Sequence, residues 1–304
     1  MTENTDKDIG LVGLNIGKKQ LMDLWFHDSI EFGHGCCLYV KIKKVLHQVR
    51  SRYQEIVVLE TEKMGKMLVI DGITMLTEFD EAAYHEMIAH VPLLAHSKPS
   101  RVLVIGGGDG GVVREVLKHP EVESVHVCEI DQAVIDVCRE HLPALASSFD
   151  DPKVSVYYED GAQFVARCSE GYEIIIVDST DPLGPGQVLF QKEFYANMKK
   201  ALSPRGIAVT QCESIYLHGD IIRGVFSFAK KLYPKLGYYT TMVPTYPSGL
   251  IGFFFCSLYS DPLRDFDRER ALRLRDLRYY TPQIHEAAFC LPKFAEEYFS
   301  MGAS

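Results

Sequence analysis

The first third of the chain alternates apolar and polar residues in the manner of short strands. Through residues 38–77, stretches such as QEIVVLETE and KMLVIDGITMLTE are rich in β-branched residues, and KMGK and DG separate them as turn signals. This pattern predicts a small antiparallel sheet. The next segment, DEAAYHEMIAHVPLLAH, has helical spacing and an acidic first turn, which predicts a helix. Residues 1–22 have neither pattern and are expected to form a loosely structured extension.

From residue 101 the pattern alternates between strands and helices. RVLVIG is a continuous apolar run that ends in glycines, as in a strand buried on both faces. Helical and strand segments then follow in turn as far as GIAVTQCE, which predicts an open parallel sheet with helices on both sides. YTTMVPTYPSGLIGFFFCS predicts a final hairpin, and the tail is expected to pack back as short helices and loop. We therefore predict an α/β fold in which a β-strand domain at 23–80 precedes a larger domain at 81–304.

Composition narrows the class of protein. The chain is 47% hydrophobic and 24% charged, which is typical of globular proteins. Its 32 Lys and Arg against 41 Asp and Glu give a net charge of −9, which disfavours a nucleic-acid partner. No apolar run approaches the ~20 residues of a membrane span, and the polar N-terminus does not resemble a signal peptide, so we expect a cytoplasmic protein with no membrane partner. The eight cysteines form no C-x-x-C, so no metal site is expected.

The glycine-rich stretch RVLVIGGGDGGVVREVLKH carries the clearest sign of ligand binding. Gly106, Gly108 and Gly111 match the G-x-G-x-x-G spacing, after a predicted strand and at the start of a predicted helix. Glu129 follows Gly111 by 18 residues, close to the place of a ribose-binding acid. These features are compatible with a nicotinamide dinucleotide.

Asp109, inside the same loop, argues against a dinucleotide. A pyrophosphate binds at a helix N-terminus because the site favours anions, and two like charges ~4 Å apart cost ~4 kcal/mol at an effective dielectric near 20. One alternative is that Asp109 points to solvent and caps the helix. Three further acids, Glu129, Asp160 and Asp178, follow strands at the same edge of the predicted sheet, and together they favour a cationic ligand.

S-adenosylmethionine and its derivatives are nucleosides that meet these conditions. Glu129 could accept hydrogen bonds from the ribose hydroxyls, and Asp160 could accept one from the adenine amino group. The sulfonium is a cation. If the amino-acid end has lost its carboxylate, only an ammonium remains, and Asp109 suits that group.

The order of motifs resembles that of the polyamine aminopropyltransferases, above all the members that make spermidine. The resemblance covers roughly residues 24–300 and rests on SRYQEIVV, VIDGITMLTEFDEAAYHEMIAHVPL, VLVIGGGDGGVVREVLKHPEVESVHVCEID, VDSTDPLGPGQVLF, VPTYPSGLIGF and YYTPQIHEAAFCLP. It implies a Rossmann-like, methyltransferase-type sheet domain preceded by a small antiparallel β domain. It also implies transfer of an aminopropyl group from decarboxylated S-adenosylmethionine, a co-substrate rather than a cofactor, to putrescine. Spermidine and methylthioadenosine would be the products, and the assembly a homodimer or homotetramer built through the N-terminal sheet.

The resemblance also implies roles for individual residues. Asp178 matches the catalytic base, and His85 stands where many relatives have Gln. Residues matched to acceptor contacts are Tyr84, Asp181 and Tyr246. Residues matched to donor contacts are Gln54, His85, Gly106, Asp109, Glu129, Asp160 and Gly161.

Other functions stay open at this point. Met75 and Phe79 depart from the common family pattern near the acceptor end, so cadaverine, spermidine or agmatine are alternative acceptors. A putrescine N-methyltransferase would use intact S-adenosylmethionine, whose carboxylate Asp109 should repel. A polyamine-binding protein without activity would not need both Asp178 and Asp181. Taken alone, DSTDP would be a plain turn, because Asp, Ser and Pro are all turn formers. The apolar strand before it and GPG after it instead favour a loop that covers a ligand.

Overall fold

The chain forms two compact units. The structure, a computed structural model, describes residues 24–28, 37–169, 171–180 and 184–300, so the predicted extension at 1–22 lies outside the described residues. The described residues up to Asp80, together with Pro244–Gly249, form the first unit; Glu81–Val243 and the residues from Leu250 onward form the second. Within the described residues, no helix is both long enough and apolar enough to cross a bilayer.

The first unit is an antiparallel sheet of five strands, as the sequence predicted. Alternate residues of neighbouring strands, Val57 with Leu59 and Met67 with Val69, form a core with Phe26. The strand that contains Phe26 was not predicted, because LWFH is too short to show a period. The strands, each paired with the next, are β1 (Leu24–His27), β2 (Tyr39–Arg50), β3 (Glu55–Thr61), β4 (Lys66–Ile70) and β5 (Ile73–Thr77).

A distant loop completes this unit. The backbone N–H and the hydroxyl of Thr245 donate to the Asp80 carboxylate at 2.8 and 2.9 Å. The Tyr246 hydroxyl donates to the carbonyl oxygen of Met75 at 2.7 Å. The first unit is therefore built from two separate stretches of the chain.

The second unit contains a mixed sheet of seven strands in the order β11-β12-β10-β9-β6-β7-β8. The five strands of the predicted parallel sheet are parallel, and the predicted hairpin is also present. The hairpin extends the same sheet, because β12 pairs antiparallel with β10. The strands are β6 (Arg101–Gly106), β7 (Ser124–Glu129), β8 (Val154–Tyr158), β9 (Tyr172–Asp178), β10 (Leu202–Gln211), β11 (Lys235–Met242) and β12 (Leu250–Ser257).

Helices cover this sheet, and its central strand is buried on both faces. Leu103 and Ile105 of β6 belong to a core with residues of α5, α6 and α7, while Val102 and Val104, which point to the opposite face, are fully buried as well. The tail forms short helices, as predicted. The helices are α1 (Glu81–Ala95), α2 (Gly111–Leu117), α3 (Gln132–His141), α4 (Pro143–Ala146), α5 (Gly161–Arg167), α6 (Lys192–Ala201), α7 (Gly219–Leu232), α8 (Arg268–Arg273), α9 (Pro282–Ala288) and α10 (Glu296–Phe299).

The strand order reverses beside β6. The chain continues from β6 to β7 and β8 on one side, whereas β9 and β10 lie on the other side. In open α/β sheets, ligands bind in the crevice outside the carboxyl ends of the strands at such a reversal. Gly106 ends β6 directly opposite Asp178, which ends β9, so the glycine loop lies at this point.

Candidate active site

The glycine loop is held against the end of β9 by its backbone. The Gly107 N–H donates to the carbonyl oxygen of Asp178 at 3.0 Å. Gly106 has a φ of +78°, and a Cβ at this position would lie 2.0 Å from the same carbonyl oxygen. Only glycine allows the loop to approach the strand this closely.

Asp109 points into the protein and not to solvent. Its Oδ1 accepts a hydrogen bond from the Gly111 N–H at 2.7 Å and lies 3.3 Å from Nε2 of His85. The alternative of a solvent-facing Asp109 is therefore wrong, although the contact with Gly111 does help to satisfy the start of α2. Burial opposes the charge of Asp109, but the neighbouring His85 and two backbone N–H groups outweigh burial and lower the pKa of this carboxyl. Asp109 is thus an ionised carboxylate.

His85 lies between two carboxylates. Its Nδ1 is 2.7 Å from Oε2 of Glu81, one turn earlier on α1, and its Nε2 faces Asp109. Burial of the ring opposes a positive charge, but Asp109 and Glu81 together raise the pKa of His85 well above its ordinary value. Glu81 was not identified from the sequence. Its position four residues before His85 on a predicted helix was the available signal.

The pKa of Asp178 is shifted in the opposite direction to that of Asp109. Burial and the negative charge of Asp109 raise the pKa of Asp178 to about 7, against smaller opposing contributions from His85 and a hydrogen bond with the Tyr84 side chain. Tyr84 is buried and packs edge-on against Phe253 of β12 at 5.2 Å between ring centroids. The structure thus brings Tyr84, His85, Asp109 and Asp178 together.

Glu129 ends β7 on the other side of the glycine loop. Its Oε1 accepts a hydrogen bond from the Asp131 N–H at 2.9 Å, and a Cβ on Gly108 would lie 3.1 Å from its Oε2. Burial raises the pKa of Glu129 to about 7. A glycine at position 108 therefore keeps the space beside this second oxygen open.

Asp160 is the N-cap of α5. Its Oδ1 accepts hydrogen bonds from the N–H groups of Ala162 at 2.8 Å and Gln163 at 3.2 Å, as an N-cap does. Gly161 follows it and packs closely on β6, since a Cβ there would lie 2.3 Å from Cγ2 of Ile105. The helix cap accounts for Asp160 without a ligand, and the adenine contact stays a prediction.

Three predicted residues do not belong to the described part of the second unit. Gln54 and Tyr246 belong to the first unit, and Asp181 lies outside the described residues. In the first unit, the backbone of Gln54 forms a turn with Ser51 between β2 and β3.

Two further polar residues lie at the carboxyl end of β10, the neighbour of β9. Gln211 ends this strand, and Glu213 comes two residues later with a φ of +62° and 2% exposure. Positive φ is uncommon for a residue with a side chain and often marks a functional turn. The sequence predicted only a strand here, although the pattern places both residues at the end of that strand.

The spacing of three site residues would admit a metal ion. One ligand atom each from His85, Asp109 and Asp178 lie within 4.8 Å of one another. A protonated imidazole has no lone pair for a metal, however, and His85 faces carboxylates with both nitrogens. The arrangement is better suited to a cationic organic group that bears N–H donors.

Comparison with known proteins identifies the family. Residues 81–267 match the family model described as the spermine/spermidine synthase domain, and residues 24–78 match the one described as the spermidine synthase tetramerisation domain. A polyamine aminopropyltransferase of Leptospira biflexa is 47% identical over 278 residues, covering 91% of this chain and 98% of that protein. A spermidine synthase of Dictyostelium discoideum is 46% identical over 274 residues, covering 89% of this chain and 95% of the relative.

A solved structure agrees with these relatives. A spermidine synthase in complex with the transition-state analogue AdoDATO superposes with a TM-score of 0.88 at 36% identity, covering 93% of this chain and 98% of that one. The Rossmann-like fold with its preceding antiparallel β domain is thereby confirmed. The chain belongs to the spermine/spermidine synthase family.

Proposed function

We propose that the protein is a spermidine synthase. It transfers the aminopropyl group of decarboxylated S-adenosylmethionine to putrescine and forms spermidine and methylthioadenosine. One observation carries the proposal: an ionised carboxylate, Asp109, and a carboxyl with a pKa of about 7, Asp178, lie together at the reversal point of the sheet. Family membership and the match to a spermidine synthase with a bound transition-state analogue support it.

Asp109 is suited to select the donor. The decarboxylated nucleoside presents an ammonium where intact S-adenosylmethionine also carries a carboxylate, and an ionised Asp109 attracts the former and repels the latter. Glu129 is suited to the ribose hydroxyls because its Oε2 faces the space above Gly108. Together they favour the decarboxylated donor over the methyl donor.

Asp178 is suited to take the proton of the acceptor. A primary ammonium has a pKa near ~10, whereas an ordinary Asp has a pKa near ~3.9, a gap of about 6 units. With the pKa of Asp178 at about 7, the gap falls to about 3 units, which lowers the cost of proton transfer by about 4 kcal/mol. The Tyr84 hydrogen bond fixes the direction of this carboxyl.

The displacement itself needs only these groups. The nitrogen lone pair of the neutral amine forms a bond to the methylene carbon next to sulfur. The carbon–sulfur bond breaks, and its electron pair neutralises the sulfonium, so methylthioadenosine leaves as a neutral molecule. Asp178 has by then taken one proton of the acceptor ammonium, which made the amine neutral, and the new secondary amine keeps its two remaining protons as an ammonium. We propose that no metal or further cofactor takes part, since the sulfonium already activates the leaving group.

The acceptor is tested by a single set of incubations. The protein is supplied with decarboxylated or intact S-adenosylmethionine and with putrescine, cadaverine, spermidine or agmatine, and mass spectrometry identifies the products. We expect methylthioadenosine and spermidine from the decarboxylated donor and putrescine. Another lengthened amine would assign another acceptor, in line with Met75 and Phe79. Methylputrescine from the intact donor would instead establish the N-methyltransferase.

We further propose a homodimer or homotetramer in the cytoplasm. The match of residues 24–78 to a tetramerisation domain supports assembly through the first unit. The seven cysteines within the described residues are all free thiols, which is typical of proteins in reducing compartments. Light scattering after size-exclusion chromatography distinguishes the dimer from the tetramer, and a monomeric mass would contradict both.

A further inference from the structure

On the basis of the proposed function, we infer that Glu81 is a positioning residue that holds His85 as an imidazolium against Asp109 in the free enzyme, and that the ammonium of the donor expels this proton on binding. In the complex His85 is neutral, and its Nε2 lone pair accepts a hydrogen bond from the ammonium. Donor binding is therefore coupled to the release of a proton.

The contacts of His85 require a charged ring. Nδ1 lies 2.7 Å from Glu81 and Nε2 lies 3.3 Å from Asp109. A neutral imidazole has one N–H, so one of its nitrogens would present a lone pair to a carboxylate. An imidazolium donates to both. The raised pKa of His85 agrees with this geometry, despite the 3% exposure of the ring.

Glu81 is also bound by two arginine side chains. Its side chain accepts from Arg114 at 2.8 and 3.3 Å, and the guanidinium of Arg278 lies 3.4 Å away. The carboxylate is 4% exposed, and its pKa is lowered by His85 and Arg114 against the effect of burial. Arg114, Glu81, His85 and Asp109 thus form a row of alternating charges. Glu81 stabilises the proton on Nδ1. When the imidazolium of His85 becomes neutral, it therefore loses the proton on Nε2.

Two cations compete for Asp109. In the free enzyme His85 provides one of them, and the donor's ammonium is the other. If both stayed charged beside the same carboxylate they would repel each other, so donor binding favours neutral His85. Once deprotonated, Nε2 becomes an acceptor directed at the place of the ammonium. A glutamine at position 85 offers a carbonyl oxygen for the same purpose and carries no exchangeable charge.

Several other groups bear on the titration of His85. The titratable or charged groups that face it or its carboxylate partners are Glu81 and Tyr84 on α1, Asp109 in the glycine loop, Asp178 on β9, Arg114 on α2 and Arg278 in the tail. The pKa of Asp178 is raised to about 7, and this carboxyl also faces the place of the donor. A test must therefore separate its contribution from that of His85.

Two ligands distinguish the contribution of His85 from that of Asp178. Decarboxylated S-adenosylmethionine carries the ammonium, and methylthioadenosine shares the nucleoside but lacks it. Titration calorimetry between about pH 6 and about pH 9, in buffers of different ionisation enthalpy, gives both affinities and the number of protons released. Because the proton leaves on binding, the affinity for the donor should rise with pH, by at most about tenfold per pH unit for one proton. The affinity for methylthioadenosine should change less.

Three variants assign the proton. With His85→Gln the donor should still bind, but one proton fewer should be released. With Glu81→Gln the rise in affinity should move to lower pH, because His85 loses one of the carboxylates that stabilise its charge. Glu86→Gln is the matched control, since Glu86 is a buried carboxylate on the same helix whose partners are the backbone N–H groups of Arg278 and Tyr280, each at 2.7 Å. It should leave the proton release unchanged.

Nitrogen NMR of the histidine side chains observes the proton directly. The signal of His85, assigned by its loss in His85→Gln, should be that of an imidazolium in the free enzyme and of a neutral ring after donor is added. A neutral ring in the free enzyme, or the same proton release in wild type and His85→Gln, would overturn the inference. If the free enzyme shows the imidazolium and Glu81→Gln removes it at neutral pH but no aminopropyl transfer occurs, the proposed function fails and the role of Glu81 stands.

Discussion

The surroundings of two carboxyl groups at one sheet edge shift their pKa values in opposite directions. Asp109 receives hydrogen bonds and the charge of His85, so it is ionised. Burial of Asp178 and repulsion by the charge of Asp109 raise the pKa of Asp178 to about 7. A pair of this kind allows one residue to bind a cation and the other to exchange a proton near neutral pH.

The role of Asp178 as a base is tested by Asp178→Asn. The amide has the same shape but cannot accept the proton, so kcat should fall by about 10²- to 10⁴-fold while donor affinity changes far less. Steady-state rates and equilibrium binding measure the two effects. Asp136→Asn, at an exposed carboxylate on α3, is the control and should retain wild-type kcat. Turnover of Asp178→Asn near the wild-type rate would remove this residue from the mechanism.

The same pKa predicts the pH dependence of the reaction. A base works only when it is deprotonated, so kcat/KM should rise by up to about tenfold per pH unit below the pKa of Asp178, which is about 7, and should level off above it. Initial rates from about pH 6 to about pH 8 provide the profile. A flat profile with chemistry as the slow step would contradict proton transfer to Asp178.

Ionisation of Asp178 should also lower the free energy of unfolding above neutral pH. Its folded-state pKa is raised to about 7, so the folded protein binds more protons than the unfolded chain between about pH 4 and about pH 7, and stability declines as pH rises through this window. Asp178→Asn should therefore raise the free energy of unfolding by about 1–2 kcal/mol at alkaline pH and have little effect near about pH 4. Urea unfolding at both pH values measures the difference, and an equal gain at both would point to a cause other than charge.

At the scale of elements, the site depends on contact between a loop and a strand end. Gly106 and Gly107 bring the loop against the last residue of β9, and the same contact sets the distance between Asp109 and Asp178. The glycine spacing was evident in the sequence. Its main consequence, close approach to a strand far along the chain, depended on the order of strands in the sheet.

Two alanine substitutions separate this effect from helix propensity. Gly106→Ala places a Cβ 2.0 Å from a backbone oxygen at a φ of +78°, so it should lower the free energy of unfolding by at least about 2 kcal/mol and reduce kcat by displacing Asp178. Gly224→Ala lies on α7 with no atom within 4 Å of the new Cβ, and it should raise that free energy by about 0.5–1 kcal/mol. Urea unfolding and steady-state rates measure both. Normal activity in Gly106→Ala would show that the loop can relax.

At the scale of the whole molecule, α1 lies at the centre of the second unit. All its residues from Glu81 to Ala95 are buried, and it packs on α2 and on strands of the sheet. The sequence predicted the helix from its spacing. It did not predict burial on every side, because polar residues such as Glu81, His85 and Glu86 break the apolar pattern. Their partners, which come from the glycine loop, α2 and the tail, make that burial tolerable.

Removal of metals tests the chemistry of the whole enzyme. Because the sulfonium supplies the leaving group and Asp178 the base, prolonged dialysis against EDTA should change kcat by less than about twofold. Assays with and without added Mg²⁺, Mn²⁺ or Zn²⁺ provide the control. Loss of activity that one metal restores would instead assign that metal to the cluster of His85, Asp109 and Asp178.

The sequence by itself determined the succession of strands and helices along the chain and the final hairpin. It also determined that Asp109, Glu129 and Asp178 lie at strand ends. It could do so because side-chain periodicity and turn chemistry are local properties of the chain. The tertiary structure alone decided that Thr245 completes the first unit, that Glu81 and Asp109 enclose His85, and that Asp178 has a raised pKa. These properties depend on distances and burial between residues far apart in sequence, which periodicity does not encode.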